Sequence, residues 1–179
     1  DLKKMIDNLN AQFGPPPQEK QQEEIRQVME GFDMVKRDFT IDTKYVNSSD
    51  LPDPEYAKKG DSGFDLRANI DTPITLHSLD RELIPTGLYV ELTENTELQV
   101  RPRSGLALKH GITVLNTPGT VDEGYRGEIG VILVNLSKDK YTINPGDKIA
   151  QGVIMNVLNQ NISKLIKTKK LSETERSTG

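Results

Sequence analysis

Apolar positions follow two different periods along this chain, and the change falls near residue 38. Before it, Leu2, Met5, Ile6, Leu9 and Phe13 recur at helical spacing. "GPPP", from Gly14 to Pro17, ends that helix, and Gln18 to Phe32 predicts a second. The second carries only a thin stripe of Ile25, Val28, Met29 and Phe32. Such a stripe predicts a helical hairpin buried on its own domain or on a neighbouring subunit. From about Phe39 the period falls to two. "FTIDTKYV" and "TPITLHS" alternate, and "ELQVRPR" puts Leu98 and Val100 on one face with Glu97, Gln99 and Arg101 on the other. "GVILVNL" is apolar on both faces, which predicts a strand covered on both sides. "KYTINPGDKIAQGVIMNV" reads as strand, turn at Pro145-Gly146, strand. Many short strands with regular turn signals predict an all-β sandwich or jelly roll. The tail "NISKLIKTKKLSETERSTG", from Asn161, becomes polar and predicts loss of order at the terminus.

Composition narrows the chemistry. The 179 residues suffice for one ordinary domain and an appendage, at 34% hydrophobic and 28% charged. There is no cysteine, so disulfides and thiolate metal sites are excluded. His77 and His110 are too few for a histidine cage, so a metal would be a hard ion held by oxygens. A net charge of −4 argues against broad nucleic-acid binding. No window approaches the roughly 18 apolar residues of a membrane span. The chain opens at Asp1 rather than Met and reads as a fragment or processed form.

Four glycine-containing polar loops interrupt the strands. "KGDSGFDLRA" holds Asp61 and Asp65. "RPRSGLALKHG" gathers Arg101, Arg103, Lys109 and His110, with Ser104 placed to cap a short helix from Gly105. A helix start beside arginines suits an anion. "NTPGTVDEGYRGE" carries an acid, Asp122, three residues from an aromatic ring, Tyr125, and "GDKIAQG" supplies the Gln151 amide. Taken singly, each loop reads as an ordinary surface salt-bridge cluster. Together, an anion cradle, spare carboxylates and an acid beside a ring describe a nucleoside polyphosphate site. In that reading Arg103, Ser104 and Gln151 hold phosphates, and Asp65 faces a Mg²⁺ coordinated mostly by phosphate and water. Asp122 accepts a proton from the attacking water, and Tyr125 packs on sugar or base.

In this order the four motifs resemble those of the trimeric dUTPase family, over roughly residues 40 to 179. The resemblance implies a jelly-roll-like β barrel, assembled as a homotrimer with three active sites at subunit interfaces. It implies hydrolysis of dUTP to dUMP and pyrophosphate by Mg²⁺-assisted water attack at the α-phosphate, which limits uracil incorporation into DNA. Carried over residue by residue, Asp122 is the water-activating carboxylate. Tyr125 lies beneath the deoxyribose, where a ribose 2′-hydroxyl would clash. Asn116, with hairpin backbone around Gly119 and Val121, reads the uracil edge. Arg103, Ser104, Gly105 and Gln151 bind phosphate, Asp65 meets the hydrated Mg²⁺ through water, and Arg176 takes the arginine position of the C-terminal arm. A family member of this kind is expected in the cytoplasm, with no membrane or nucleic-acid partner. The expected organisation is a helical extension over 1–38, the barrel over 39–166 and an arm over 167–179.

The chain departs from the family pattern in three places. Lys148 stands where many members have arginine, which keeps the charge but not the planar fork. "ERSTG" resembles the start of the family's glycine-rich arm but stops at Gly179, before the phenylalanine that covers the uracil. As written, the chain is expected to bind nucleotide less tightly and to turn over poorly. The extension has no counterpart in the minimal family domain. Two alternatives remain at this stage. One is a dCTP deaminase-like enzyme on the same fold, for which Glu123 is the relevant residue. The other is a dUTPase-fold protein with a regulatory protein-binding role, for which the extension is the support.

Overall fold

The computed structural model describes residues 4, 7–8, 11–12, 40–159 and 162–169. The chain divides into two units, Asp1–Ile41 and Asp42–Gly179. Among the described residues of the first unit, Lys4, Asp7, Asn8, Ala11 and Gln12 are helical and exposed. "GPPP" and the helix expected over Gln18 to Phe32 lie outside the described residues, as does Arg176.

The second unit is built of strands: β1 (Lys44–Asn47), β2 (Phe64–Arg67), β3 (Ile74–Leu76), β4 (Arg81–Pro85), β5 (Leu88–Glu91) and β6 (Thr96–Pro102). A single described helix, α1 (Ser104–His110), follows. Then come β7 (Ile112–Val114), β8 (Gly119–Val121), β9 (Gly130–Asn135), β10 (Tyr141–Ile143) and β11 (Lys148–Asn156). They form a four-stranded sheet, β2-β11-β6-β8, and a three-stranded sheet, β4-β9-β7. Two pairs complete it, β1-β5 and β10-β3, and every pairing is antiparallel. No described helix is long and apolar enough to cross a membrane.

Alternation in the sequence becomes inside and outside in the sheet. On β6, Leu98 and Val100 enter the core while Glu97, Gln99 and Arg101 face outward. On β9, Val131, Leu133, Val134 and Asn135 are all buried, as a strand covered on both faces requires. The turn between β10 and β11 has a local cause. Pro145 presets φ at its first corner, Gly146 supplies φ 78° at the second, and the Asp147 N–H closes onto the Asn144 carbonyl at 3.1 Å. The Asp147 carboxylate also accepts the Asn144 N–H at 2.8 Å.

Asn135 is a fully buried polar residue of this core. Its amide donates to the carbonyls of Leu76 (3.0 Å) and Asp139 (2.8 Å). Its Oδ1 accepts the N–H and hydroxyl of Ser137 at 2.9 and 2.8 Å. One side chain thus joins β3 and β9 to the following turn. Asn135→Ala strands several of these groups and should cost about 2–4 kcal/mol in urea unfolding. A midpoint unchanged from wild type would show that the network does not brace the fold.

Candidate active site

β6 ends at Pro102, and the chain turns at Arg103 into α1. Arg103 occupies the cap position in extended backbone (φ −91°, ψ 125°) and gives the helix no side-chain cap. This corrects the expectation that Ser104 caps a helix from Gly105, because Ser104 is itself the first helical residue. The cause lies in the arginine, whose guanidinium is drawn back to the sheet. Arg103 Nη1 donates to the Lys148 carbonyl at 2.9 Å, and Nε lies 3.2 Å from Asp65 Oδ1. The other Asp65 oxygen is 2.6 Å from Lys148 Nζ.

Asp65 is therefore the pivot of the clamp. Its place follows from register, since Asp65 on β2 stands opposite Gln151 on β11. Strict alternation would put Lys148 on the same side as buried Ala150. A bulge between Lys148 and Ala150 lets Ile149 and Ala150 both turn inward and leaves Lys148 facing Asp65. Gln151 Nε2 donates to the Pro102 carbonyl at 3.1 Å, which fixes its amide beside the arginine.

These groups line an open cleft of about 600 Å³. Asp65, Arg103, Ser104, Gly105 and Gln151 all reach it, with Lys109 and His110 at one side and Glu55 and Asp61 at another. His110 stacks against Tyr141 with centroids 4.9 Å apart. Burial holds the Tyr141 phenol above its ordinary pKa; Asp147 adds to that effect and Arg103 opposes it. Arg101 does not join the cluster. It is on the outer face of β6, where Nε and Nη2 donate to Gln99 Oε1 at 2.9 and 2.6 Å.

Asn116, Gly119, Val121, Asp122 and Tyr125 are not among the residues lining this cleft. They follow one another from the β7–β8 connection through β8 to the turn after it; β7 pairs with β9 and β8 with β6, so the hairpin expected here is a crossing between two sheets. Gly119 is pressed so closely that a Cβ there would lie 3.3 Å from both the Asn116 amide and Val100. Asp122 and Tyr125 open and close a single turn, with the Tyr125 N–H donating to the Asp122 carbonyl at 3.0 Å. Asp122 is exposed, and no described residue bonds its carboxylate. Tyr125 holds its hydroxyl on the Glu128 carbonyl at 2.9 Å.

Register measures the separation of the two groups. Val121 pairs with Leu98 and Gly119 with Val100, so Asp122 falls level with Glu97. Arg103 lies six residue steps farther along the same line, or about 20 Å.

Two glutamates that the sequence reading did not place in the site brace this turn. Glu128 Oε1 accepts the N–H groups of Thr86 (3.1 Å) and Gly87 (2.7 Å). Glu123 Oε2 accepts the Asn95 N–H and the Asn159 side-chain amide. Their signal in the sequence was only their position within "DEGYRGE". The carboxylate on which a deaminase reading rests is thus committed to a structural contact.

An all-β unit with a cleft holding Asp65, Arg103 and Gln151 at one sheet edge and an acid–ring turn at another defines the class of protein. Residues 49–179 match the dUTPase family. The chain is similar to the deoxyuridine 5'-triphosphate nucleotidohydrolase of Neorickettsia sennetsu, 56% identical over 133 residues, covering 74% of this chain and 87% of that protein. In fold it is similar to a mutant dUTPase of phage 80alpha (TM-score 0.67, 22% identity, 77% of this chain and 96% of that one). It is also similar to a phage phi11 dUTPase of S. aureus with a coordinated structural Mg(II) ion (TM-score 0.64, 21% identity, 74% and 99%). The chain belongs to the dUTPase family.

Proposed function

We propose that this chain works as a homotrimer in which the Asp122 turn of one copy closes the Asp65–Arg103 cleft of another. As a dUTPase the chain is a dUTP diphosphatase, and the overall reaction is hydrolysis of dUTP to dUMP and pyrophosphate. The observation that carries the assignment is the separation along β6. A general base must come within about 3 Å of the proton it takes, directly or through one water. A base about 20 Å from the phosphate clamp of its own chain cannot meet that requirement there. A second copy can supply it, and cyclic assembly repeats the same contact at every interface.

In such a site Arg103, Ser104, Gly105 and Gln151 hold the phosphates, and Arg176 adds a further cation from the arm. The residues present suit a hydrated Mg²⁺. Among the described residues no group of three or more His, Cys, Asp or Glu could cage a metal. Asp65, already bonded to two cations, keeps lone pairs for a water of the ion. When bound, the ion neutralises phosphate charge. Asp122 orients a water toward the α-phosphate and accepts its proton, while the fixed donors of the clamp need no reorganisation as charge develops. Asn116 and the backbone around Gly119 and Val121 read the uracil edge. A cytosine would leave buried groups unpaired there. We assign residues 39–166 to this catalytic unit, 1–38 to an extension and 167–179 to the arm. The assigned compartment is the cytoplasm, with no membrane or nucleic-acid partner.

Tyr125 supplies the test of substrate choice. Its ring is tethered to the Glu128 carbonyl and should exclude the ribose 2′-hydroxyl by contact. Tyr125→Ala should lower the dUTP/UTP ratio of kcat/KM about 10-fold or more, as read by pyrophosphate release. An unchanged ratio would remove the ring from sugar selection.

A further inference from the structure

The turn that carries Asp122 is fixed by its neighbour rather than by Asp122 itself. Glu123 is half-buried, and its Oε2 accepts two hydrogen bonds from parts of the chain far apart in sequence. One comes from the Asn95 backbone N–H at 2.8 Å, in the turn between β5 and β6. The other comes from the Asn159 amide Nδ2 at 3.2 Å, just past the end of β11. A third bond closes the triangle, from the Val157 N–H to the Asn95 carbonyl at 2.9 Å. Asn95 takes φ 60°, a left-handed conformation that asparagine tolerates, and so turns its N–H toward the carboxylate. The acid next to Asp122 thereby meets the point where the chain leaves the barrel toward its C-terminus.

We infer that Glu123 is a positioning residue for hydrolysis, a hydrogen-bond acceptor that sets the direction of Asp122 by tying its turn to Asn95 and to the root of the C-terminal segment at Asn159. Three observations support it. The Asp122 side chain has no described partner of its own, so the backbone of the turn decides where it points. The two bonds, at 2.8 and 3.2 Å on one oxygen, come from separate segments of the chain and so anchor the turn from two directions. Arg126 Nη1 donates to the Glu123 carbonyl at 2.7 Å and to the Tyr125 carbonyl at 2.9 Å, so the turn moves as one piece with Glu123. The role requires an acceptor at that place and no proton transfer. It also places the start of the C-terminal segment in mechanical contact with the turn bearing the base.

The inference rests on the assignment of Asp122 as the base, and its test keeps the two apart. The full chain is prepared as wild type, Glu123→Ala, Glu123→Gln, Asn159→Ala and Asp122→Asn, and kcat and KM for dUTP are measured with Tm. Glu123→Ala should lower kcat about 10–100-fold with KM within about threefold, since an ångström of misplacement has that order of effect. Glu123→Gln keeps a carbonyl oxygen at the same distance and should recover most of the loss. Asn159→Ala should give a smaller fall in kcat, because the Asn95 bond survives. A wild-type kcat in Glu123→Ala with only Tm lowered would reduce the residue to a structural brace and overturn the inference. Equal damage from Ala and Gln would also overturn it, by showing that the charge itself acts. Should Glu123→Ala not fold, an unchanged kcat in Asn159→Ala would decide against the link to the C-terminal segment. Hydrolysis surviving in Asp122→Asn would instead remove the premise, whatever Glu123 does.

Discussion

Asp122→Asn should abolish turnover and leave nucleotide binding nearly intact. The substitution changes one oxygen for an amide at an exposed tip where no described residue bonds the carboxylate, so the fold loses no contact with it. The turn is held by other groups: the Tyr125 N–H on the Asp122 carbonyl, Glu123 on Asn95, and Glu128 on Thr86 and Gly87. Tm should therefore stay within a degree or two of wild type. Binding should also hold, because the clamp residues Arg103, Ser104 and Gln151 line a separate cleft. Only the proton acceptor is gone. Loss of general-base assistance lowers kcat about 10²–10⁴-fold. The measurement is pyrophosphate release for turnover, with titration of an imido analogue of dUTP for affinity. Parallel loss of kcat and affinity would mean that Asp122 contacts the bound nucleotide, or organises the turn, instead of activating water.

The strands easiest to read from sequence were those whose alternation coincides with burial. β6, β9 and the β10–β11 pair fall where "ELQVRPR", "GVILVNL" and "KYTINPGDKIAQGVIMNV" put them. Of the expected "FTIDTKYV" strand, Lys44 to Val46 fall in β1, where Tyr45 and Val46 remain exposed. β2 was hidden inside a loop motif. Its four residues Phe64–Arg67 alternate buried and half-buried, but the glycines and aspartates around them look like a turn. β4 and β5 were missed for a related reason, since "RELIPTGLYVE" has a proline and a glycine between its apolar positions. Pro85 is tolerated because it ends β4 at the Gly130 pairing. In the site, residue types and spacing identified Asp65, Arg103 and Gln151 as neighbours. The grip of Lys148 on Asp65 was not readable, because it depends on a bulge that strict alternation does not contain. The removal of Arg101 from the cluster was equally hidden: Arg101 and Arg103 share one strand face by spacing, and only the structure shows Arg101 bonded to Gln99 while Arg103 reaches Asp65. Nor could sequence give the roughly 20 Å between Asp122 and Arg103, which depends on β6 and β8 pairing at Leu98 and Val121.

That distance leads to the second large effect, restoration of activity by mixing two dead proteins. Arg103→Ala removes the guanidinium that the phosphates would meet, together with its bonds to Asp65 and the Lys148 carbonyl. Asp122→Asn removes the base. Each variant alone should fall about 10²-fold or more below wild type. If clamp and base belong to one chain, mixed trimers can do no better than their parents, since every chain carries one defect. If they come from different copies, an Asp122→Asn chain offers an intact clamp and an Arg103→Ala chain an intact Asp122 turn. In every mixed trimer one of the three interfaces brings the intact halves together, so about a third of wild-type activity should return in the doubly tagged fraction. The variants carry different tags, are unfolded and refolded together, and the doubly tagged fraction is assayed. The double variant Arg103→Ala/Asp122→Asn, mixed with Asp122→Asn, is the control and should stay dead, because no chain then carries the Asp122 carboxylate. Doubly tagged trimers no more active than the parents would place both halves of the site within one chain. The β6–β8 register would then have to give way for Asp122 to reach the cleft.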